Sequence, residues 1–159
     1  MKMKITLYTD GAAKGNPGPG GYGAVLMAGK HYKELSEGFV KTTNNRMELL
    51  AVIVGLESLK KQGMQVQVFS DSKYVVDSVE KKWVFGWEKK GFKGKKNIDL
   101  WKRFLVIYKQ HKVSFTWVKG HAGNLYNEKC DELAVQAAES SNLKPDLGFE
   151  NPSSEDKLF

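Results

Sequence analysis

Cysteine is nearly absent from the chain. Cys130 stands alone, so no intramolecular disulfide can form, and no Cys-x-x-Cys or Cys/His pair has zinc-site spacing. Long apolar runs are missing too: the longest, Leu49-Leu50-Ala51-Val52-Ile53-Val54-Gly55-Leu56, falls far short of the ~18 residues a membrane span needs. The first residues, Met1-Lys2-Met3-Lys4-Ile5, alternate polar and apolar and never enter an apolar h-region, which argues against a secretory signal. A reducing cytoplasm is the expected address, with no membrane partner. Nothing demands a dimer, and a monomer is expected. Arginine is scarce, with only Arg46 and Arg103 against twenty-three lysines, so bidentate reading of guanine edges is poorly provided for. What is present is 159 residues, 41% of them hydrophobic. That suits one compact domain, which at this length buries roughly 68–70% of its unfolded surface.

The charge is unevenly placed. Of a net +7, residues 81–96 (KKWVFGWEKKGFKGKK) carry +6, from seven lysines and one glutamate. Within this block Trp83, Phe85, Trp87 and Phe92 alternate with Lys81, Lys82, Lys89, Lys90 and Lys93. Lysines neutralise phosphates and rings pack on sugars or bases, a combination suited to a nucleic-acid backbone. The plainer alternative is a solvated basic loop whose aromatics belong to the core. A block this local is an electrostatic footprint, and binding should follow backbone shape more than base sequence.

Hydrophobic periodicity orders the rest. Alternation predicts a strand over 3–9, a turn through the glycine-proline cluster Gly15-Asn16-Pro17-Gly18-Pro19-Gly20-Gly21, and strands over 22–28 and 31–40 joined by a tight hairpin. Helical period follows over 45–61, with Met47, Leu50, Ala51 and Val54 on one face. A strand over 65–69, helices over 72–81 and 98–110, a strand over 113–118 and a helix over 127–139 complete the order. Cys130, Leu133, Ala134, Ala137 and Ala138 form the apolar stripe of that last helix. The reading is an α/β domain over residues 1–140, a mixed sheet with helices packed on it. An acidic tail over 141–159 is expected to be poorly ordered.

Four acids have ordinary local explanations. Asp10 precedes Gly11 at a strand end, where a turn residue belongs. Glu48 completes an approximate capping box begun by Asn45. Asp71 can be an N-cap together with Ser72, and Asp131 lies in the first turns of a helix, where a carboxylate suits the dipole. Their conjunction is harder to explain. If the strands ending at Asp10 and Asp71 are adjacent and parallel, both acids project from the carboxyl edge of one sheet, where open α/β sheets bind ligands. Glu48 and Asp131 begin helices that flank the same edge. Converging carboxylates repel unless divalent cations neutralise them, and oxygen-only donors select magnesium or manganese. A basic surface beside an acidic cation pocket implies metal-assisted phosphodiester chemistry. His121, on a glycine-flanked loop ten residues before Asp131, titrates near neutrality and can shuttle protons. His31 and His111 have no comparable setting.

Six motifs stand in order along the chain: Tyr8-Thr9-Asp10-Gly11, Gly15 to Gly23 (GNPGPGGYG), Thr42 to Leu49 (TTNNRMEL), Ser70-Asp71-Ser72, Trp117 to Gly123 (WVKGHAG) and Asn127 to Ala134 (NEKCDELA). Together they resemble type 1 ribonuclease H of the bacterial kind, which cleaves the RNA strand of RNA/DNA hybrids, over about residues 4–139. The resemblance implies a ribonuclease H-like fold, a five-stranded mixed sheet of three antiparallel strands followed by parallel strands, with helices on both faces. It assigns metal binding to Asp10, Glu48, Asp71 and Asp131 and a mobile catalytic role to His121. It implies two magnesium ions ~3.5–4 Å apart, with manganese as a substitute, and products bearing 5′-phosphate and 3′-hydroxyl ends. Residues 83–96 match the family's basic protrusion, so Trp83, Trp87, Lys89, Lys90, Phe92 and Lys93 are expected to grip the DNA strand. Asn16, Asn44 and Asn45 match positions that hold the hybrid, with Asn44 near the RNA 2′-hydroxyls. Lys73 stands where relatives often carry a glutamine at the substrate surface, and the protrusion is shorter than is usual. A sibling nuclease of the same fold and a non-catalytic hybrid-binding module are the alternatives.

Overall fold

Strand β1, Lys4–Ala13, alternates so that Ile5, Leu7 and Thr9 point to one face and Tyr8 and Asp10 to the other. It is the middle strand of the protein, described here from a computed structural model that covers residues 4–120 and 122–151. Its neighbours are β2 (Gly18–Ala28), running antiparallel, and β4 (Gln65–Ser70), running parallel. The edges are β3 (His31–Thr42) beside β2 and β5 (Lys112–Trp117) beside β4, giving the order β3-β2-β1-β4-β5. This is the expected mixed sheet. Thr9 pairs with Ser70 across β1 and β4, so Asp10 and Asp71 leave the same edge side by side.

Helix α1, Asn44–Glu57, packs on the Leu7 face, where Gly55 leaves room for the Leu7 side chain. It is buried on nearly every side because α4, Ile98–Tyr108, covers its outer face. Helix α2, Lys73–Glu80, packs against β5 and α3, Trp83–Lys89. Trp101 of α4 gathers Tyr74, Trp87 and Phe104 edge-on around it. The opposite face of the sheet belongs to α5, Leu125–Glu139. Here the structure departs from the predicted turn: β2 begins at Gly18, so Gly20 and Gly21 lie inside it, paired with Ala13 and Ala12. A Cβ at Gly21 would stand 2.6 Å from the Ala134 carbonyl oxygen, so this glycine lets a helix approach the strand.

Two further expectations are corrected. The basic block is not one loop, because α3 occupies its first half: Phe85 packs on Tyr108 and Trp87 on Trp101, Val84 and, beyond the helix, Phe92 are buried, and Trp83 stays exposed. The tail is also ordered as far as the structure describes it. Lys144 donates its N–H to Gly38 and accepts from Val40, extending the β3 edge, and a short helix α6, Leu147–Glu150, follows. Asp146 is buried in bonds to Thr42 and Arg46, contacts that a composition-based reading has no means of seeing.

Candidate active site and nucleic-acid interface

The caps of the three helices that carry Glu48, follow Asp71 and carry Asp131 fall to other residues. Helix α1 is capped by Thr43, whose Oγ1 accepts from the Arg46 N–H at 3.2 Å, so the expected Asn45 capping box does not form. Ser72 caps α2 by accepting from Val75, and Asn124 caps α5 by accepting from Tyr126 and Asn127. The carboxylates are thus released from capping. Gly11 N–H instead donates both to Asp10 Oδ1 at 2.9 Å and to Glu48 Oε1, which ties the end of β1 to the first turn of α1. Only glycine fits, since a Cβ at Gly11 would collide with the Met47 and Glu48 backbone.

Oxygen atoms of Asp10, Glu48 and Asp71 all lie within 4.8 Å of one another, with Asp10 and Glu48 buried. Asp131, from the second turn of α5, lines the same cleft outside that tight group, together with Lys73 and Tyr74. Burial, then the charges of Asp71 and Asp131, push the Asp10 carboxyl up to about 7. Burial also drives Glu48 well above the usual carboxylate range, reinforced by the facing Asp10 carboxyl. Three clustered, oxygen-only donors, with Asp10 and Glu48 held above the usual carboxylate range, fit a hard divalent cation, whose charge would offset their repulsion.

Asp71 is held from two sides. Its carbonyl accepts from Trp117 Nε1 at 3.1 Å, and a Cβ added at Gly120 would stand 2.6 Å from its Oδ2. Gly120→Ala is therefore expected to push the Asp71 carboxylate aside and weaken divalent-cation affinity about tenfold with little change in melting temperature. Isothermal titration with the cation, beside a thermal melt, checks this. Lys73 is exposed on the same wall, its ammonium 4.9 Å from the Trp117 ring centre. His121 lies outside the described residues.

The asparagines lie beside the cleft. Asn16 Oδ1 accepts from Asn44 N–H at 3.0 Å and Asn44 Oδ1 from Ala13 N–H at 2.6 Å, which commits both carbonyl oxygens to the backbone and leaves the amino groups to donate. Asn45 is exposed on the rim. Next to it opens a larger cleft of about 630 Å³, lined by Asn16, Thr43, Asn45, Lys95, Lys96 and Asn97 among others. The N-termini of α1 and α4 both face this cleft, so two helix dipoles and two lysines favour an anion there. Thr43 and Asn97 were given no site role from sequence, and Lys95 and Lys96 were read only as part of the basic protrusion; the usable signal was the position of Lys95-Lys96 just before a helix start. The expected substrate role of Phe92 is overturned, because its ring is core. Trp87 is half-buried, while Trp83, Lys89, Lys90 and Lys93 remain exposed.

Residues 2–139 match the model of the RNase H family. The chain belongs to the RNase H family. Among relatives named ribonuclease H, that of Desulforamulus reducens is 54% identical over 149 residues, covering 91% of this chain and 93% of its own. That of Lachnoclostridium phytofermentans is 55% identical over 155 residues, covering 91% and 98%. Among solved structures, LC9-RNase H1, a type 1 RNase H with the type 2 active-site motif, superposes with a TM-score of 0.79 at 31% identity, covering 87% of this chain and 73% of that one. LC11-RNase H1, solved in complex with an RNA/DNA hybrid, gives 0.63 at 29% identity, covering 84% and 96%. The family is metal-dependent, and the acidic cluster described above lies at the carboxyl edge of the sheet.

Proposed function

We propose that this protein hydrolyses the RNA strand of RNA/DNA hybrids endonucleolytically, leaving 5′-phosphate and 3′-hydroxyl ends, with Asp10, Glu48, Asp71 and Asp131 holding two divalent cations. The observation that carries this reading is the Asp10–Glu48–Asp71 oxygen cluster beside a lysine-lined cleft. Magnesium is the proposed ion and manganese its substitute, as oxygen-only donors prefer hard cations. Such ions, when bound, supply an activated water and neutralise charge developing at the scissile phosphate.

The chain's own residues do the positioning. Gly11 orients Asp10 and Glu48 through its single N–H, and Trp117 and Gly120 set Asp71. Asn16, Asn44 and Asn45 donate to the hybrid, and Asn44 senses the RNA 2′-hydroxyl, which can accept a hydrogen bond. Lys73 takes a backbone contact at the Asp71 wall, and the Lys95–Lys96 cleft takes a phosphate of the DNA strand. Trp83, Trp87, Lys89, Lys90 and Lys93 extend that grip along the protrusion. His121 accepts or relays a proton, so its loss should cost less than the loss of an acid.

Purified protein with magnesium is offered RNA/DNA hybrid, double-stranded RNA, double-stranded DNA and single-stranded RNA of one sequence, each with a chelator control. Chelator-sensitive cleavage confined to the RNA of the hybrid is expected. Cutting of duplex DNA would move the assignment to a sibling nuclease, and binding without cutting to a hybrid-binding module. Changing Lys89, Lys90 and Lys93 together to Ala should weaken hybrid binding and lower the log-log salt slope by about 0.9 for each phosphate no longer neutralised. A salt series of binding constants reads this directly, and an unchanged slope would remove the protrusion from the interface.

A further inference from the structure

Asp146, in the C-terminal segment, sits in a knot of charge. Arg46, only 3% exposed, donates from Nε to Asp146 Oδ2 at 2.8 Å, from Nη2 to Asp146 Oδ1 at 3.0 Å and to Asp99 Oδ2 at 2.7 Å, and from Nη1 to Asp99 Oδ1 at 2.9 Å and Asn97 Oδ1 at 3.4 Å. All five guanidinium N–H groups are thereby used. Asp146 also accepts from Thr42 Oγ1 at 2.7 Å. One side chain thus joins the C-terminal segment, the N-terminal turn of α1 and the N-terminus of α4. Those two helix ends are the ones that open onto the Lys95–Lys96 cleft.

Seating is tight. Gly148 lies directly over Arg46 and Asp99, and a Cβ there would collide with the Asp99 carboxylate. This places the next residue, the half-buried Phe149, on the wall of the cleft that Asn16 and Asn45 also line. Asn97 adopts a left-handed backbone (φ 61°) and is held by Arg46 and by Tyr74, to whose hydroxyl its Nδ2 donates at 3.1 Å. The direction of Lys95 and Lys96, the two residues before it, depends on that conformation. A buried ion knot is a poor device for stability alone, because well-packed apolar side chains of the same volume stabilise as much or more. Its directional bonds do hold charged and amide groups in register.

Resting on the hybrid reading above, we propose that the C-terminal strap, residues 143–150, is part of the nucleic-acid-binding apparatus. Asp146, acting through Arg46, fixes the rim of the Lys95–Lys96 cleft as a positioning residue, and Phe149 forms one of its walls. The strap governs affinity for the hybrid backbone and leaves the chemistry at the four acids untouched.

Fluorescence anisotropy with a labelled RNA/DNA hybrid, over a salt series well below the melting temperature and in an Asp10→Asn background that cannot cut, tests this. Asp146→Asn and Phe149→Ala should each weaken binding about fivefold to tenfold, with the log-log slope falling by about 0.9, the value of one neutralised phosphate. In the otherwise native chain KM should rise by the same factor while kcat at saturation holds. Asp146→Asn added to Lys95→Ala/Lys96→Ala should cost little further affinity, since both act on one cleft. Phe149→Ala leaves every ion pair in place and decides the matter should Asp146→Asn not fold. Unchanged affinity and slope in the folded variants, with only a lower melting temperature, would reduce the strap to a brace and overturn the proposal. A parent that binds hybrid no better than duplex DNA, and whose native form does not cut it, overturns the functional reading itself, and the strap's role with it.

Discussion

Asp10→Asn is expected to abolish divalent-cation-dependent cleavage while making the cation-free protein more stable above neutral pH. The first half follows from removing one oxygen of a cluster whose members lie within 4.8 Å. The second follows from burial. With its carboxyl raised from 3.8 to about 7, Asp10 keeps a proton in the folded chain that the unfolded chain gives up. Stability without cations therefore falls as pH rises between those two values, and the full penalty is present above about 7. An uncharged amide removes Asp10's share of that slope and leaves the part due to buried Glu48. The gain at pH 8 is on the order of 2 kcal/mol, or about 5 °C in melting temperature for a chain of this size. Melts in chelator from pH 4 to 9 check it: the native chain should lose more stability across the window than the variant, which keeps only the share that comes from buried Glu48. Added magnesium should raise the native melting temperature far more than that of the variant. A variant that melts lower than the native chain at pH 8 in chelator would show that Asp10 stabilises the fold as an anion.

Arg46→Ala carries the largest expected loss of stability. It leaves Asp146 buried and Asp99 half-buried with no cation between them, and removing one partner of a buried pair costs about 3–5 kcal/mol. For this length that corresponds to roughly 10 °C or more. Burial by itself would raise the Asp99 carboxyl, but hydrogen bonds and charge from Arg46 outweigh it and hold the group below its ordinary value. The variant should thus show both the lower melting temperature and an Asp99 carboxyl titrating upward, readable by NMR. Replacing Arg46 and both acids with apolar residues of matching volume should restore much of the stability. By the strap's proposed role, it should leave hybrid affinity low.

Much of the fold can be read along the chain. Alternation in 3–9 and 65–69 and helical period in 45–61 and 127–139 report burial directly, because a side chain's hydrophobicity follows the face it occupies. Boundaries were less legible. The helix expected to reach residue 61 ends at Glu57, where Ser58 closes it by donating to the Gly55 carbonyl. The first residues of β2, 18–21, were read as a turn because glycine signals a turn locally, whereas Gly21 serves a helix that arrives from more than a hundred residues away. Phe92 was misread for a similar reason: an aromatic between lysines looks exposed until the fold is seen to bury it in the hydrophobic core.

By itself the sequence determined the inventory: which acids, asparagines and lysines are available, the order of strands and helices that carries them, and a motif set specific enough to point to one family. Only the tertiary structure decided what those residues are free to do. Thr43, Ser72 and Asn124 take the capping work, so Glu48, Asp71 and Asp131 are left to the cleft. Arg46, Asp99 and Asp146 meet across 100 residues of chain. Capping and ion pairing are competitions among groups close in space, and adjacency in space is set by packing of the whole domain.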